Sequence, residues 1–260
     1  MGVWEQIKEI YLYREMLRNL VSKEIRARYK ASVLGFLWTF INPLLTLAVY
    51  SFVFSVVMKS GIHNYSMFLF VALLPWNYIA MSVTQGTTSL VGNVSLVKKI
   101  YFPRAILPLS LVFANMINYL LGLIILMPAL ALFHIRFTIT LVAFPAVLLV
   151  ETLLVASLTL LVAVGTVYFR DLEHIIGIFI MLWFFLTPIV YSIDTIPANL
   201  RNLFNFNPAT AIIEAYRAIF FYGKWPDWAG LGWLALALVF LLFICGSLFV
   251  HLQRNVAEEI

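Results

Sequence analysis

Apolar positions in this 260-residue chain fall in long unbroken runs rather than in alternation. Stretches free of Asp, Glu, Lys and Arg cover 31–58, 60–97, 105–135, 137–150, 152–169, 174–193 and 228–253, with Glu151 alone between the fourth and fifth. A helix needs about 20 largely apolar residues to cross a bilayer. The runs therefore predict six spans: Phe36–Val57, Ser66–Gly86, Leu107–Phe133, Ile139–Tyr168, Ile175–Ser192 and Ala229–Leu252. Strands of a membrane barrel would be about 10 residues long and alternate in polarity, so the expected fold is an all-α polytopic membrane protein. Pro75 and Pro145 lie inside spans, where neighbouring groups can satisfy the freed carbonyls.

Two segments depart from this pattern. In residues 3–21 the apolar positions Val3, Ile7, Ile10, Tyr13, Leu17 and Leu20 recur at intervals of three and four. That spacing predicts an amphipathic helix, lying in the membrane interface or packed on a protein partner. Between the fifth and sixth spans, Ala209–Phe221 is apolar but too short to cross, and a crossing would break the parity of the spans. Asn207-Pro208 is a helix start signal and Gly223 a stop. Residues 193–223 are read as a re-entrant region; the alternative is an ordinary amphipathic helix resting on the headgroups.

Composition and charge fix the class and orientation. The chain is 63% hydrophobic and 11% charged, where soluble domains carry about 25% charged residues. A soluble protein is excluded. So is a nucleic-acid binder, since the bases are too sparse to track phosphates. Twelve of the 17 Lys and Arg flank one side of the expected spans: Lys8, Arg14, Arg18, Lys23, Arg26, Arg28 and Lys30 before the first, then Lys98, Lys99, Arg104, Arg170 and Arg254. Lys59, Arg136, Arg201, Arg217 and Lys224 fall on the other, the last three balanced by Asp194, Glu214 and Asp227. The positive-inside rule places both termini in the cytoplasm of a multi-pass protein of the cytoplasmic membrane. The first thirty residues are charged throughout and lack the apolar core of a signal peptide, so the start is expected to be mature cytoplasmic sequence. The lone Cys245 allows no internal disulfide, and the four scattered histidines suggest no metal. The expected layout is a cytoplasmic lead-in over 1–30, a transmembrane domain over 31–254 and a cytoplasmic tail over 255–260.

The expected cytoplasmic loop Gly92–Arg104 joins a short helical segment, 94–101, to a turn at Phe102-Pro103. Its bases and aromatics would face the cytoplasm. Such a segment can act as a lever passing motion from a soluble partner to two spans; the plainer reading is a basic loop that only sets topology.

At this point the chain resembles the membrane subunit of ABC-2 type exporters, in the branch that exports O-antigen, capsule and teichoic acid. Four blocks carry the resemblance. They are Lys30-Ala31-Ser32-Val33-Leu34-Gly35-Phe36-Leu37-Trp38 with Asn42-Pro43-Leu44; the Gly92–Arg104 loop; Tyr168-Phe169-Arg170-Asp171-Leu172 with Thr187-Pro188-Ile189-Val190-Tyr191; and Phe206-Asn207-Pro208 through Arg217. Together they span about residues 23–252. The resemblance implies a homodimer working with two copies of a separate ABC ATPase and a lipid-linked glycan as substrate. The chain has no G-x-x-x-x-G-K-[ST] phosphate loop, so it would hold no cofactor itself, and ATP and Mg would bind the partner. The Gly92–Arg104 loop would be the coupling helix, with Asn93, Leu96, Lys98, Lys99, Tyr101, Phe102, Pro103 and Arg104 meeting the ATPase. Residues 1–30 would be an interfacial helix on membrane lipid, and 193–223 a pair of extracellular re-entrant helices. Spans one and five of two subunits would face each other across the polymer path.

Other candidates come from the residues themselves. Aromatics make up 16% of the chain, and sugar faces stack on aromatic rings. Trp38 and Phe40 on span one, and Trp183, Phe184, Phe185 and Tyr191 on span five, are path candidates; the alternative is interfacial belting and lipid-facing bulk. The use of span five by the resembled family favours Trp183 and Tyr191. Glu151 is the one acid or base deep inside a span, which invites a functional reading, though one such group is too few for a proton-coupled carrier. A structural or interfacial role is expected. Asp171 is placed to cap span five and Glu173 to meet its positive end. By resemblance, Arg170, Asp171 and Glu173 would form a second cytoplasmic contact with the ATPase. The leading expectation is a permease exporting a lipid-linked polysaccharide. Its rivals are an ABC-2 exporter of a drug or simple lipid, a membrane-embedded glycolipid enzyme, which would need clustered acids for a metal, and an ion-coupled carrier, which would show inverted repeats.

Overall fold

A computed structural model describes residues 3–29, 34–53, 62–253 and 259. Residues 54–57 of the first expected span, together with Lys30, Lys59 and Arg254, lie outside them. Among the described residues there is no strand, and the elements are helices joined by short turns.

The chain starts with α1 (Val3–Leu12) and α2 (Arg14–Tyr29), separated at Tyr13. A turn of 3₁₀ helix at Gly35–Leu37 leads into α3 (Trp38–Ser51). α4 (Tyr65–Thr88) is followed by a second 3₁₀ turn and the six-residue α5 (Val94–Lys99). α6 (Ile106–Leu132), α7 (Phe144–Tyr168, with a 3₁₀ lead-in from Ile139), α8 (Leu172–Phe185), α9 (Ala198–Asn205), α10 (Pro208–Arg217) and α11 (Trp228–Leu252) complete the chain. Among the described residues, four helices are long and apolar enough to cross a membrane: α4, α6, α7 with its lead-in, and α11.

α4 is the central post. It packs against α3, α6, α7, α8 and α10, and seventeen of its residues are buried, from Tyr65 to Thr87. Close helix approach explains the small residues on it. A Cβ at Gly86 would sit 2.7 Å from Thr159 Cγ2 and 3.3 Å from the Thr159 carbonyl, so Gly86 lets the α4 and α7 backbones meet, as small residues do in membrane bundles. α11 packs on α7 and turns Trp233, Leu236, Phe240 and Phe243 outward, an arrangement that costs nothing in lipid.

A second, smaller core lies at the end of the bundle that carries α5. It gathers Leu20 of α2, Val97, Phe102, Leu107 and Phe249, with Ile10, Tyr13 and Leu17 packed against it. Ile10, Tyr13, Leu17 and Leu20 of the leader stripe therefore face protein; α2 lies along α6 and α1 meets α11. The helix also runs on through Lys23–Tyr29, past the boundary expected at residue 21.

Two expected spans are not among the four long helices: the first is described as the 14-residue α3, with 54–57 outside the described residues, and the fifth ends early. The fifth was placed over Ile175–Ser192, but α8 begins at Leu172 and ends at Phe185. Its 14 residues rise only about 21 Å, short of the ~30 Å hydrocarbon core. The chain then turns through 186–192, with Thr187 and Ile189 fully buried. Hydropathy reads through this turn because its residues are apolar. The turn forms because side chains from elsewhere bond its backbone, as described next.

Candidate functional site

The α5 end carries the expected coupling loop. Helix α5 stops at Lys99, two residues earlier than expected, and Ile100 is extended. Asn93 donates through its side chain to the Ser89 carbonyl at 2.9 Å, fixing the loop to the end of α4. Val97 and Phe102 are buried and Leu96 is half-buried, so these three anchor the loop in the second core. Lys98, Lys99, Ile100 and Tyr101 are exposed, Tyr101 at 77%. The expectation that both aromatics face outward is corrected: Tyr101 does, while Phe102 is the anchor, because Pro103 turns the chain back into the bundle. Arg104 also turns inward and donates to the Gln253 carbonyl. Tyr168 donates to the Leu252 carbonyl at 2.7 Å, so two side chains satisfy carbonyls left open at the end of α11. Burial draws the Arg104 pKa down from the ordinary arginine value while Tyr168 opposes that shift; a guanidinium stays charged throughout.

Arg170, Asp171 and Glu173 are exposed at the start of α8. Asp171 occupies the N-cap position, but its side chain makes no capping bond, a correction to the expected cap. Its helical backbone (φ −65°, ψ −13°) departs from the extended conformation a capping residue takes.

The expected path aromatics do not form one surface within a chain. Trp183 and Phe184 are buried and meet Trp76 edge-on at 5.6 and 5.7 Å. Tyr50 of α3 lies 6.2 Å from Phe184. Phe185 is exposed, Tyr191 is half-buried against Phe204, and Phe40 is half-buried on α3. Trp38 stands apart, at a cleft between α3, α4 and α6.

Trp183 also holds the opposite end of the bundle together. Its indole N–H donates to Asn207 Oδ1 at 2.8 Å. The Asn207 amide donates in turn to the Leu186 carbonyl and the Thr187 hydroxyl, both at 3.0 Å. Asn207 caps α10 as its position predicts, accepting from the Ala209 N–H at 3.0 Å with Pro208 next. α10 is buried against α4 and α7, continues as a wider π-helical turn over Ala218–Tyr222, and stops at Gly223 with φ +62°.

Sequence reasoning treated Arg217 as a charge on the outer side balanced by Glu214. The pair exists at 2.7 Å, but the Arg217 side chain is fully buried. Its guanidinium donates to the Pro188 carbonyl and, at 2.6 Å, to the Ile189 carbonyl. It also lies 3.6 Å from the centre of the Phe68 ring. Tyr65 adds a bond to the Val190 carbonyl at 3.0 Å. Three side chains thus satisfy the backbone of the turn after α8, the condition under which irregular backbone is tolerated inside a bilayer.

Glu151, on α7, is fully buried and accepts from the Tyr216 hydroxyl at 2.6 Å. Tyr216 meets Tyr119 edge-on at 5.8 Å, and Tyr119 stacks on Tyr78 at 6.0 Å. The carboxyl is a post between α7 and α10. Glu151→Gln should keep the bond and lower stability by less than about 1 kcal/mol, while Glu151→Leu, which strands the buried hydroxyl, should cost about 1–3 kcal/mol. Thermal unfolding in detergent checks both; an equal loss in both variants would show that the carboxyl group itself is needed.

Comparison with known proteins places these features in context. The sequence model described as ABC-2 type transporter matches residues 15–221. The chain is similar to an O-antigen export system permease protein of Myxococcus xanthus, 38% identical over 256 residues and 98% of both chains. It is similar to one of Klebsiella pneumoniae, 33% identical over 214 residues and 82% of both. It is also similar to a polysialic acid transport protein of Escherichia coli, at 23% identity over 235 residues, covering 86% of this chain and 88% of that one.

Proposed function

The chain belongs to the ABC-2 type transporter family, and from that premise we propose that it is the permease subunit of an ATP-driven exporter carrying a lipid-linked polysaccharide across the cytoplasmic membrane. The observation that carries this reading is the end-to-end match to a permease named for O-antigen export. A permease of this family works with an ATPase, and the exposed face Lys98–Tyr101 is suited to receive one. Two bases beside exposed apolar groups, on a loop anchored at Val97 and Phe102, form a stiff docking ridge. ATP and Mg belong to that partner. Both termini lie in the cytoplasm, and the exposed Arg170, Asp171 and Glu173 give the ATPase a smaller second contact.

Two copies of the chain form the path. α3 and α8 are neighbours through Tyr50 and Phe184, and each turns apolar side chains outward, Leu45 and Val49 on one, Ile178 and Met181 on the other. The buried setting of α10 favours a re-entrant region over a helix resting on headgroups. It also supports six spans, with α3 and the short α8 as the first and fifth. Expression of the chain with an ABC ATPase should restore surface polysaccharide in a host deleted for its own O-antigen permease, and the two proteins should purify together. Co-purification without any surface polymer would reject the glycan and leave a drug or simple lipid as cargo.

A further inference from the structure

Amide side chains are rare in the apolar runs, and five of them collect in one place. α3, α4 and α6 enclose a cleft of about 400 Å³. Asn42, Asn77, Asn115, Asn118 and Gln85 line it, with Trp38 at its side. By helix rise, Asn77 lies about 17 Å from the end of α4 and Asn118 about 18 Å from the start of α6, near the middle of a ~30 Å core. Gln85 and Asn115 lie closer to the α5 end. The cleft is therefore a polar track from the expected cytoplasmic side to mid-depth.

Its lower end is built. Arg28, in the last turn of α2, donates to Gln85 Oε1 at 3.0 Å and to Asn115 Oδ1. The Asn115 amide donates to Gln85 Oε1 at 3.1 Å. Among the described lining residues Arg28 carries the one formal charge. Further in, the amide nitrogen and oxygen of Asn118 are both out of solvent contact and bond nothing among the described residues. Amides that served only to glue helices together would be paired across them. Polar groups kept at this depth mark a path or a site.

We propose that this cleft binds sugar units of the exported glycan as they enter from the cytoplasm, with Asn118 and Asn77 as the principal contacts. This rests on the transport reading above and goes beyond the aromatic path along spans one and five. A carboxamide offers a donor and an acceptor side by side, and vicinal hydroxyls offer the complement. Trp38 supplies an apolar ring for the C–H face of a sugar. The Arg28 charge at the mouth suits the phosphate that joins glycan to lipid. A lipid headgroup shares the phosphate and lacks the sugar chain, so the two sources are separable.

The test uses single cysteines in a Cys245→Ala background, in inverted membrane vesicles holding the full transporter. The probe is an anionic, membrane-impermeant methanethiosulfonate. Asn118→Cys and Asn77→Cys should be modified at least about tenfold faster than the lipid-facing control Phe243→Cys in vesicles from cells blocked in glycan synthesis, and slowed about tenfold where the glycan is made. A second measurement does not depend on labelling. Asn118→Leu with Asn77→Leu should accumulate in the membrane like the parent while surface glycan falls at least about tenfold, and Asn118→Gln should restore most of it. No modification, or modification indifferent to the glycan, overturns the proposal; the second result would assign the cleft to lipid headgroups. If the parent chain exports no glycan, the transport reading fails first. If the parent exports it while both cysteines are indifferent, only the cleft assignment fails.

Discussion

Arg217→Ala is expected to lower the stability of the folded chain by about 3–5 kcal/mol, chiefly because two buried carbonyls lose their donor at about 1–3 kcal/mol each. Several groups are stranded at once. Glu214 loses its 2.7 Å partner, and the Pro188 and Ile189 carbonyls lose their donors inside the bundle. The Phe68 face is left without its cation. At about 2–4 °C per kcal/mol for a chain of this size, the apparent Tm in detergent should drop by roughly 6–20 °C. Arg217→Lys should recover only part of this, because a point charge on a flexible stem cannot reach two adjacent carbonyls and a carboxylate as a planar fork does. Fluorescence-detected thermal unfolding of the purified chain checks the order Arg217, then Lys, then Ala. A Tm for Arg217→Ala within about 2 °C of the parent would show that the Arg217 bonds to residues 188 and 189 do not act as a latch on the turn.

The second large effect falls on coupling. Lys98→Glu combined with Lys99→Glu should reduce polysaccharide export at least about tenfold, since reversed charge at a docking face costs one to several kcal/mol and 1.4 kcal/mol is a factor of ten. The chain should still accumulate in the membrane, because both lysines are exposed and neither packs in the second core. Tyr101→Ala should act in the same direction by removing exposed apolar contact. Arg104→Glu makes an informative contrast: Arg104 holds the end of α11 through Gln253, so that change should lower Tm as well as export. Export assays beside pull-down of the ATPase separate the cases. If the double lysine reversal leaves both untouched, the ridge is a topological signal and nothing more.

These expectations show where the sequence could be read and where it could not. The four long helices were legible because bilayer thickness imposes a length on apolar runs. The bounds of α10 were legible because Asn207-Pro208 and Gly223 act locally, through a cap and a positive φ. The end of α8 was not legible. Its cause is the bonding of an apolar turn by Asn207, Arg217 and Tyr65, residues that lie far from it in sequence. Arg28 was hidden for a similar reason. Seven bases before the first span read as topology, and nothing local shows that one of them reaches Gln85 and Asn115. Arg217 was half-read: the charge count matched it with Glu214, while its burial depends on carbonyls 28 and 29 residues upstream.

The latch between residues 188 and 217 also bears on how the protein is made. α8, at 14 residues, is a poor span by itself in a translocation channel. Its partner segment ends at Arg217, before the first residue of α11 at Trp228. The ribosome therefore delivers everything the latch needs before the last span is synthesised. Arg217, Glu214 and the Pro188 and Ile189 carbonyls all lie within residues 172–222, so the buried pair and its bonds can form before α11 is made.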